Sequence, residues 1–323
     1  MAKKYLVTGG AGFIGSAIVN RLLREGNKVR VIDNSFRGSL ERIKGKIEFI
    51  EGDIRDASKV IDACKGVDCV IHLAFINGTE FFYKMPELVL EVGVKGMMNV
   101  MEGCIKNNVK ELLLASSSEV YQTPTKVPTD EKVAMSIPDP LNPRYSYGGG
   151  KIISELIAIN YGRKHFDRVM IFRPHNVYGP DMGWEHVIPQ LLLRMKELAK
   201  DSRGTIKFPI QGSGKETRAF VFIEDFIDGF MEILKKGKHL EIYNIGTMDE
   251  IAIQSVAIEI GNYFNRKIEI MPGNLTQGST LRRCPDISKL KMLGYKPKVS
   301  FKKGLNMTAK WYDENSFKRL VKS

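Results

Sequence analysis

The chain has 323 residues, and 49 Lys and Arg residues against 37 Asp and Glu residues give it a formal net charge of +12. Hydrophobic residues make up 43% and charged residues 27%, which excludes a disordered, collagen-like or disulfide-dense protein. No apolar stretch approaches the roughly 20 residues that cross a bilayer, and no signal-peptide pattern precedes the first predicted strand at Lys4. We therefore expect a cytoplasmic protein of about two domains that does not contact a membrane.

The positive charge is spread along the whole chain. Lysines occur mostly as isolated pairs such as Lys302-Lys303, and no basic tract alternates with aromatic residues. A nucleic-acid surface concentrates its charge on one face or arm, so we expect no nucleic acid partner. The four cysteines lack a Cys-x-x-Cys spacing, which predicts small core residues and no metal site.

Short β-rich runs alternate with helical patterns in the first half of the chain. The predicted strands are Lys4–Val7, Lys28–Ile32, Lys46–Ile50, Cys69–Leu73, Glu111–Ala115 and Arg168–Phe172. The predicted helices between them include Gly15–Glu25, Pro86–Asn107 and Tyr147–Lys164. This alternation is typical of βαβ units and predicts an α/β fold, a doubly wound parallel sheet of the Rossmann type.

After Pro180 the pattern becomes less regular. Predicted helices His186–Leu198, Ile223–Leu234 and Ile251–Phe264 are mixed with short strands Thr205–Ile210 and Lys267–Met271. We therefore predict a Rossmann domain over residues 1–180 and a smaller mixed α/β lobe for substrate over residues 181–323. Part of this lobe, around residues 220–250, is expected to return to the first domain.

A glycine-rich turn connects the first strand to the first helix. Gly9, Gly12 and Gly15 form Gly-x-x-Gly-x-x-Gly, with Phe13 and Ile14 between the last two. Glycine permits a tight turn and close approach of the backbone to a pyrophosphate, and the helix N-terminus presents free N–H groups to it. The turn therefore predicts a dinucleotide cofactor.

The end of the second strand indicates which dinucleotide is bound. Asp33 lies about 20 residues after the glycine turn, where a carboxylate accepts hydrogen bonds from a ribose hydroxyl. The same carboxylate would repel the 2′-phosphate of NADP. We therefore predict NAD, although Arg37 nearby leaves NADP open.

Two further segments carry groups suited to acid–base chemistry. Ser116-Ser117-Ser118-Glu119 follows the fifth strand at its carboxyl end, where open α/β sheets bind ligands. Tyr147 and Lys151 lie one turn apart on one face of a predicted helix. A nearby ammonium lowers the pKa of a phenol, ordinarily about 10, so that the phenolate becomes a usable base.

Together these motifs resemble the extended short-chain dehydrogenases/reductases of the nucleotide-sugar epimerase/dehydratase family. Further matching segments are Gly52–Asp56, Leu73-Ala74, Arg173–Pro180, Arg218–Phe220 and Arg283–Tyr295. The resemblance implies that Tyr147 removes the proton of a sugar C4 hydroxyl while hydride passes from C4 to NAD. It also implies a homodimer paired through the helices Pro86–Asn107 and Tyr147–Lys164.

The same resemblance implies roles for further residues. Lys151 would hold the nicotinamide ribose, and Ser117 would hydrogen-bond the C4 oxygen. Besides the glycine-rich turn, the implied cofactor-binding residues are Asp33, Asn34, Asp53, Ile54, Leu73, Ala74, Tyr147, Lys151 and His175. The implied substrate-binding residues are Asn176, Arg218 and Arg283.

Glu119 bears on which reaction of the family is catalysed. A 4-epimerase needs little beyond Ser117, Tyr147 and Lys151, whereas a 4,6-dehydratase also needs a base for the C5 proton. Ser117–Tyr121 resembles the Thr-Asp-Glu-Val-Tyr pattern of sugar-nucleotide 4,6-dehydratases, which makes Ser118 and Glu119 catalytic candidates.

Longer segments of the chain resemble one subgroup of this family. Ser118–Pro124, Arg144–Lys151 and Arg173–Gln190 resemble the N-acetylhexosamine nucleotide 4,6-dehydratases of bacterial legionaminic-acid-type pathways. This implies GDP- or UDP-N-acetylglucosamine as substrate and a 4-keto-6-deoxy product for surface-carbohydrate biosynthesis. A 4-epimerase stays open, as does a UDP-glucuronate decarboxylase, which Pro143-Arg144 before the tyrosine motif also resembles. A non-catalytic NAD-binding sensor is disfavoured because Tyr147 is present.

Three features depart from the family pattern. Phe75 replaces the small residue that commonly follows Leu-Ala, Gly93 stands where many relatives have Asn, and the helix of Tyr147 opens with Gly148-Gly149-Gly150. We interpret Phe75 as reshaping the sugar pocket near the nicotinamide. The glycine run, unfavourable within a helix, permits close approach of cofactor or sugar.

Overall fold

The computed structural model describes residues 2–201, 204–275 and 278–319. The strands are β1 Lys4–Thr8, β2 Lys28–Asp33, β3 Glu48–Glu51, β4 Cys69–His72, β5 Glu111–Ala115, β6 Arg168–Pro174, β7 Val177–Tyr178, β8 Ile206–Pro209, β9 Thr217–Ala219, β10 Val221–Phe222, β11 Glu241–Ile245, β12 Glu250–Ala252, β13 Ile268–Met271 and β14 Arg282–Arg283. The helices are α1 Phe13–Arg24, α2 Ala57–Ala63, α3 Thr79–Lys84, α4 Pro86–Leu90, α5 Gly96–Lys106, α6 Ser146–His165, α7 Val187–Asp201, α8 Ile223–Lys236, α9 Ile253–Tyr263, α10 Ser288–Lys291 and α11 Phe301–Asn315.

Seven parallel strands form the central sheet in the order β3-β2-β1-β4-β5-β6-β11. The predicted doubly wound parallel sheet is therefore confirmed. The predicted helix Pro86–Asn107 is divided, because a π-helical stretch at Glu91–Lys95 separates α4 from α5. This stretch contains Gly93, whose surroundings are described below.

Alternate residues of each strand face opposite sides of the sheet, and both sides are apolar. Val7 and Phe172 pack with α1 and α8 on one side, whereas Leu6 and Ile171 pack with α2, α5 and α6 on the other. Parallel strands covered by helices on both faces are buried throughout, which explains their continuous apolar runs. The carboxyl ends of these strands all meet at one edge of the sheet.

Residues beyond 180 contribute to both parts of the molecule. β11 pairs in parallel with β6, and α8 packs on the sheet through Phe226 and Phe230, which are both fully buried. A separate apolar cluster joins α7, α9 and α11, including Leu191, Ile260 and Leu305. This second lobe lies over the carboxyl edge of the sheet, where its loops contribute to the cavity described below.

Among the described residues, no helix is both long and apolar enough to span a bilayer. The four cysteines, Cys64, Cys69, Cys104 and Cys284, are free and buried. The part of the chain that the structure describes contains no group of three or more His, Cys, Asp or Glu side chains placed to hold a metal ion.

The Phe230→Ala variant tests how much α8 stabilises the sheet. We expect the free energy of unfolding to fall by about 3–5 kcal/mol, because the ring is fully buried and packs edge-on against Phe172 at a centroid distance of 5.3 Å. Urea denaturation followed by circular dichroism measures the change. Phe317→Ala is the control, since that side chain is 60% exposed and should change stability by less than about 0.5 kcal/mol. Equal stability of both variants would contradict the prediction.

Candidate active site

A cavity of about 1370 Å³ lies at the carboxyl edge of the sheet, between the strand ends and the second lobe. It is formed by the glycine turn, the residues that follow β2, β4 and β5, the start of α6, and the loop before α7. Most residues singled out from the sequence line it: Gly9, Gly12, Phe13, Ile14, Gly15, Asp33, Asn34, Asp53, Ile54, Leu73, Ala74, Ser117, Ser118, Glu119, Tyr147, Lys151, Asn176 and Arg283.

His175 and Arg218 do not line this cavity, and their expected roles as direct ligands stay predictions. Pro174 and Asn176 line the cavity, whereas His175 between them is buried behind it. The Nε2 atom of His175 lies 3.1 Å from Asn244 Oδ1. Arg218 donates to the Thr217 carbonyl at 2.8 Å.

The glycine turn is shaped for close backbone approach. Gly9 has a φ of +69°, and an added Cβ would lie 2.9 Å from the backbone of Ala74. An added Cβ at Gly15 would lie 2.2 Å from the Gly9 carbonyl oxygen. Gly12 begins α1 without a side-chain cap, so no side chain competes for the N–H groups of the first turn. The turn therefore fits the pyrophosphate of a dinucleotide.

The carboxylate of Asp33 lies beside this turn at the end of β2. It accepts hydrogen bonds from the backbone N–H groups of Ala11 at 3.0 Å and Ser35 at 2.8 Å. Arg37 instead forms an ion pair with Glu185 at 3.0 Å, across the cavity mouth. Because Arg37 is engaged there, the geometry favours a ribose hydroxyl at Asp33 over a 2′-phosphate.

The loop after β3 is held by a second set of polar contacts. Asn34 Nδ2 donates to Asp53 at 3.1 Å, and Arg55 pairs with the same carboxylate at 2.9 Å. The hydrogen bond from Arg55 lowers the pKa of Asp53. The Ile54 carbonyl accepts from Asn99 at 2.9 Å, which fixes the loop to α5. Asp53 and Ile54 thus reach the cavity wall on a rigid loop.

Tyr147 lies between two aromatic rings at the start of α6. Phe82 stacks on it at a centroid distance of 4.9 Å, and Phe75 meets it edge-on at 5.1 Å. Burial raises the pKa of Tyr147 above its ordinary value, and the hydrogen bond with Ser117 opposes this rise. The Ser117 hydroxyl therefore contacts the phenol directly.

Lys151 is directed at a backbone carbonyl, and its expected effect on the pKa of the tyrosine stays a prediction. Its Nζ donates to the Ala115 carbonyl at 2.7 Å and lies 5.8 Å from the Tyr147 ring centroid. Burial lowers the pKa of Lys151 to about 7, although Glu155 acts in the opposite direction.

Glu119 forms an ion pair with Arg283 at the other side of the cavity. Burial alone would raise the pKa of this carboxyl, but the positive charges of Arg283, Arg144 and Arg218 lower it on balance. Arg218 lies next to Arg283 in the register of β9 and β14, so it adds charge without entering the cavity. Glu119 is therefore an ionised carboxylate within a positively charged surround.

Residues 5–246 match the model of the NAD dependent epimerase/dehydratase family. The chain belongs to this family. The resemblance drawn from the motifs is confirmed, and NAD is the cofactor, as predicted. The glycine turn and Asp33 are the parts of this chain whose geometry fits it.

Individual members of the family resemble the chain over nearly its whole length. UDP-glucuronic acid decarboxylase 3 of Arabidopsis thaliana is 32% identical over 309 residues, which cover 94% of this chain and 86% of the plant protein. The dTDP-D-glucose 4,6-dehydratase of Homo sapiens is 31% identical over 339 residues, covering 97% and 91% of the two chains. The crystal structure of DesIV, a dTDP-glucose 4,6-dehydratase of Streptomyces venezuelae with NAD bound, has a TM-score of 0.85 at 29% identity, covering 97% and 98%.

The cavity also includes residues that the sequence did not single out as site residues. These are chiefly Phe82, Arg144, Trp184, His186 and Gln190. The Nε atom of Arg144 is buried and has no hydrogen-bond partner among the described residues. Four of these residues lie in the matching segments Arg144–Lys151 and Arg173–Gln190, whereas no sequence signal pointed to Phe82.

A buried polar network lies directly behind the cavity. Glu155 and Arg173 form a doubly hydrogen-bonded ion pair with distances of 2.8 and 2.6 Å, and their side chains are 0% and 2% exposed. The Ser116 hydroxyl donates to the same carboxylate. Arg173 also donates to the Tyr121 hydroxyl at 2.7 Å. The network ties α6 to β6 and to the segment that carries Ser117 and Glu119.

Neutralising Glu155 tests this network. We expect Glu155→Gln to lower the free energy of unfolding by about 3–5 kcal/mol, because Arg173 is left buried without a counter-charge. Thermal and urea unfolding measure the loss. Glu197→Gln is the matched control, since its pair with Lys200 on α7 is solvent-exposed and should contribute no more than about 1 kcal/mol. Similar losses in both variants would show that the buried pair is not a special stabilising contact.

Proposed function

We propose that the protein is an NAD-dependent nucleotide-sugar 4,6-dehydratase that converts GDP- or UDP-N-acetylglucosamine to a 4-keto-6-deoxy product, in a pathway of the legionaminic-acid type. The observation that carries the proposal is the ionised carboxylate of Glu119, which lines the same cavity as Ser117 and Tyr147. A C4 oxidation site with an additional carboxylate base is what a 4,6-elimination requires.

Tyr147 and Ser117 serve the first half of the reaction. Tyr147 takes the proton of the C4 hydroxyl, and Ser117 hydrogen-bonds the same oxygen. Lys151 holds the nicotinamide ribose. NAD held at the glycine turn and Asp33 would supply the acceptor for the C4 hydride and the donor of the same hydride to C6, so the overall conversion would be redox-neutral.

Glu119 and Ser118 serve the elimination. The C4 ketone acidifies the C5–H bond, and Glu119 removes that proton while the C6 hydroxyl leaves as water. Glu119 passes this proton to the departing C6 hydroxide, which leaves as water. Ser118 also lines the cavity, and we assign it to hydrogen-bond the C6 oxygen. When hydride is delivered to C6, C5 gains one proton and Tyr147 releases the one that it took from the C4 hydroxyl, so protons balance over the cycle.

The arginines at the far side of the cavity suit an anionic nucleotide. We assign Asn176 and Arg283 to the diphosphate, with Arg218 adding positive charge behind them. Guanidinium groups bind phosphate through paired, charge-assisted hydrogen bonds. A diphosphate on Arg283 competes with Glu119 for the same guanidinium, so substrate binding releases the carboxylate to act as a base.

Decarboxylation of a UDP-uronate is the second candidate. Arg144 and Arg283 both surround Glu119, and the buried, unpartnered Nε of Arg144 suits a sugar carboxylate. The relatives include UDP-glucuronic acid decarboxylases at 32% identity. The C4 oxidation would be the same, and loss of CO2 from C5 would replace removal of the C5 proton.

Product analysis in deuterated water distinguishes these reactions. The protein is incubated with GDP- and UDP-N-acetylglucosamine and with UDP-glucuronate, and products are identified by mass spectrometry and NMR. We expect loss of one water from the N-acetylglucosamine nucleotide, with solvent deuterium at C5. Loss of CO2 from UDP-glucuronate would support the decarboxylase, and a C4 epimer formed without loss of water would overturn both proposals in favour of an epimerase.

The Glu119→Gln variant tests the assigned base. We expect turnover to fall by about 10²–10⁴-fold, because the amide cannot accept the C5 proton. NAD binding should be unchanged, and NADH should accumulate on the enzyme as an absorbance signal once C4 is oxidised. Glu197→Gln, at an exposed position on α7, is the control. Full turnover by Glu119→Gln would exclude Glu119 as the base.

We also propose a cytoplasmic homodimer paired through α4, α5 and α6. These neighbouring helices leave Leu90, Met98, Ile153 and Leu156 between 38% and 49% exposed. Burying them against a second copy removes apolar surface from water. Sedimentation should show a dimer that Leu156→Glu dissociates, while Leu141→Glu, at an exposed loop position outside these helices, should remain dimeric. A monomer at all concentrations would contradict the proposal.

A further inference from the structure

The ring of Phe75 faces the ammonium group of Lys151 within the cavity. The Nζ atom lies 4.1 Å from the ring centroid. The same ring meets Tyr147 edge-on, with an interplanar angle of 81°. An ammonium at this distance from an aromatic face is attracted by the ring quadrupole. Phe75 therefore contacts both side chains of the tyrosine–lysine motif.

Two glycines from different helices leave the space for this ring. An added Cβ at Gly93 would lie 2.3 Å from Phe75 Cζ, and one at Gly150 would lie 3.0 Å from the same atom. Neither glycine has a positive φ, so neither is required by its own backbone conformation. Glycine is unfavourable inside helices, and the ring explains why it occurs at both positions.

The remaining surroundings of Lys151 are almost free of charge. Its side chain is 3% exposed and donates to the Ala115 carbonyl at 2.7 Å. The titratable groups facing it are Tyr147 and Glu155 on its own helix and His72 on β4. Burial lowers the pKa of His72 to about 3, so this ring stays uncharged. On the side of α4 and α5, the ammonium group of Lys151 is covered by the apolar ring of Phe75.

We propose that Phe75 is a positioning residue for Lys151: it seats the ammonium between its ring and the Ala115 carbonyl, and Gly93 and Gly150 make room for it. With these contacts fixed, the other N–H groups of Lys151 can donate to the nicotinamide ribose. The inference rests on the ribose position assigned under the proposed function. It does not depend on which sugar nucleotide is converted.

The Phe75→Leu variant separates this role from simple packing, because leucine keeps apolar volume but has no aromatic face. NAD affinity is measured by titrating the nucleotide-free protein. We expect binding at pH 7 to weaken by about tenfold. Binding of NAD should also weaken as rising pH deprotonates Lys151. In Phe75→Ala water reaches the ammonium and raises its pKa, so this loss of affinity should move to higher pH.

A double-mutant cycle tests the match between the ring and the glycines. In the parent protein, Gly93→Ala displaces the ring, and we expect NAD binding to weaken by about tenfold. In the Phe75→Ala background the added methyl group enters vacated space, so the same change should alter affinity by less than about twofold. Gly149→Ala is the control: its Cβ would meet only Ile137, at 3.3 Å, and it should bind NAD as the parent does.

Two results would overturn the inference. Parent NAD affinity in Phe75→Leu, together with an unshifted pH dependence in Phe75→Ala, would reduce Phe75 to a packing residue, even if the melting temperature fell. An equal effect of Gly93→Ala in both backgrounds would show that the ring and the glycine are not matched. Neither measurement uses a sugar substrate, so failure of the proposed dehydratase reaction leaves this test intact.

Discussion

The ion pair between Arg173 and Glu155 is the contact on which the geometry of the active site depends. Tyr147 and Lys151 lie on α6, whereas Ser117 and Glu119 follow β5, so nothing in the local chain fixes their separation. Glu155 accepts from Ser116 as well as from Arg173. Both charges are almost wholly removed from water, where each is tolerable only with its partner present. The pair therefore fixes the position of α6 relative to the segment that follows β5.

The same network reaches β11, the edge strand that a later part of the chain adds to the central sheet. The Tyr121 hydroxyl, which accepts from Arg173, donates to Asn244 Oδ1 at 2.9 Å, and Asn244 lies on β11. The ring of His175 meets that same amide oxygen. Burial lowers the pKa of His175 to about 3, so it serves as a neutral interior group. Its place in this network is the physical reason that it does not line the cavity.

The sheet and the glycine turn could be predicted because their signals are contained in short segments. The run Gly9–Gly15 and the alternation of strands and helices need no knowledge of distant contacts. The direction of His175 and the match of Phe75 to Gly93 and Gly150 depend on residues far apart in the sequence. In the sequence, each of these residues is an unexplained difference from the family pattern, and only the fold shows which residues it contacts. The raised pKa of Tyr147 could not be predicted for a similar reason, because the spacing of residues does not show how deeply a side chain is buried.

Only a small part of the net charge of +12 bears on ligand binding, and it lies at one end of the cavity. Many surface lysines are already paired with carboxylates, as Lys235 is with Glu25. Around Glu119, however, the charges of Arg144, Arg218 and Arg283 exceed the single carboxylate that they share. A partly desolvated excess of positive charge is best satisfied by an anion brought from outside. Asp33 and Asp53 line another part of the same cavity, so one part presents carboxylates to hydroxyl groups and the other presents positive charge to an anion.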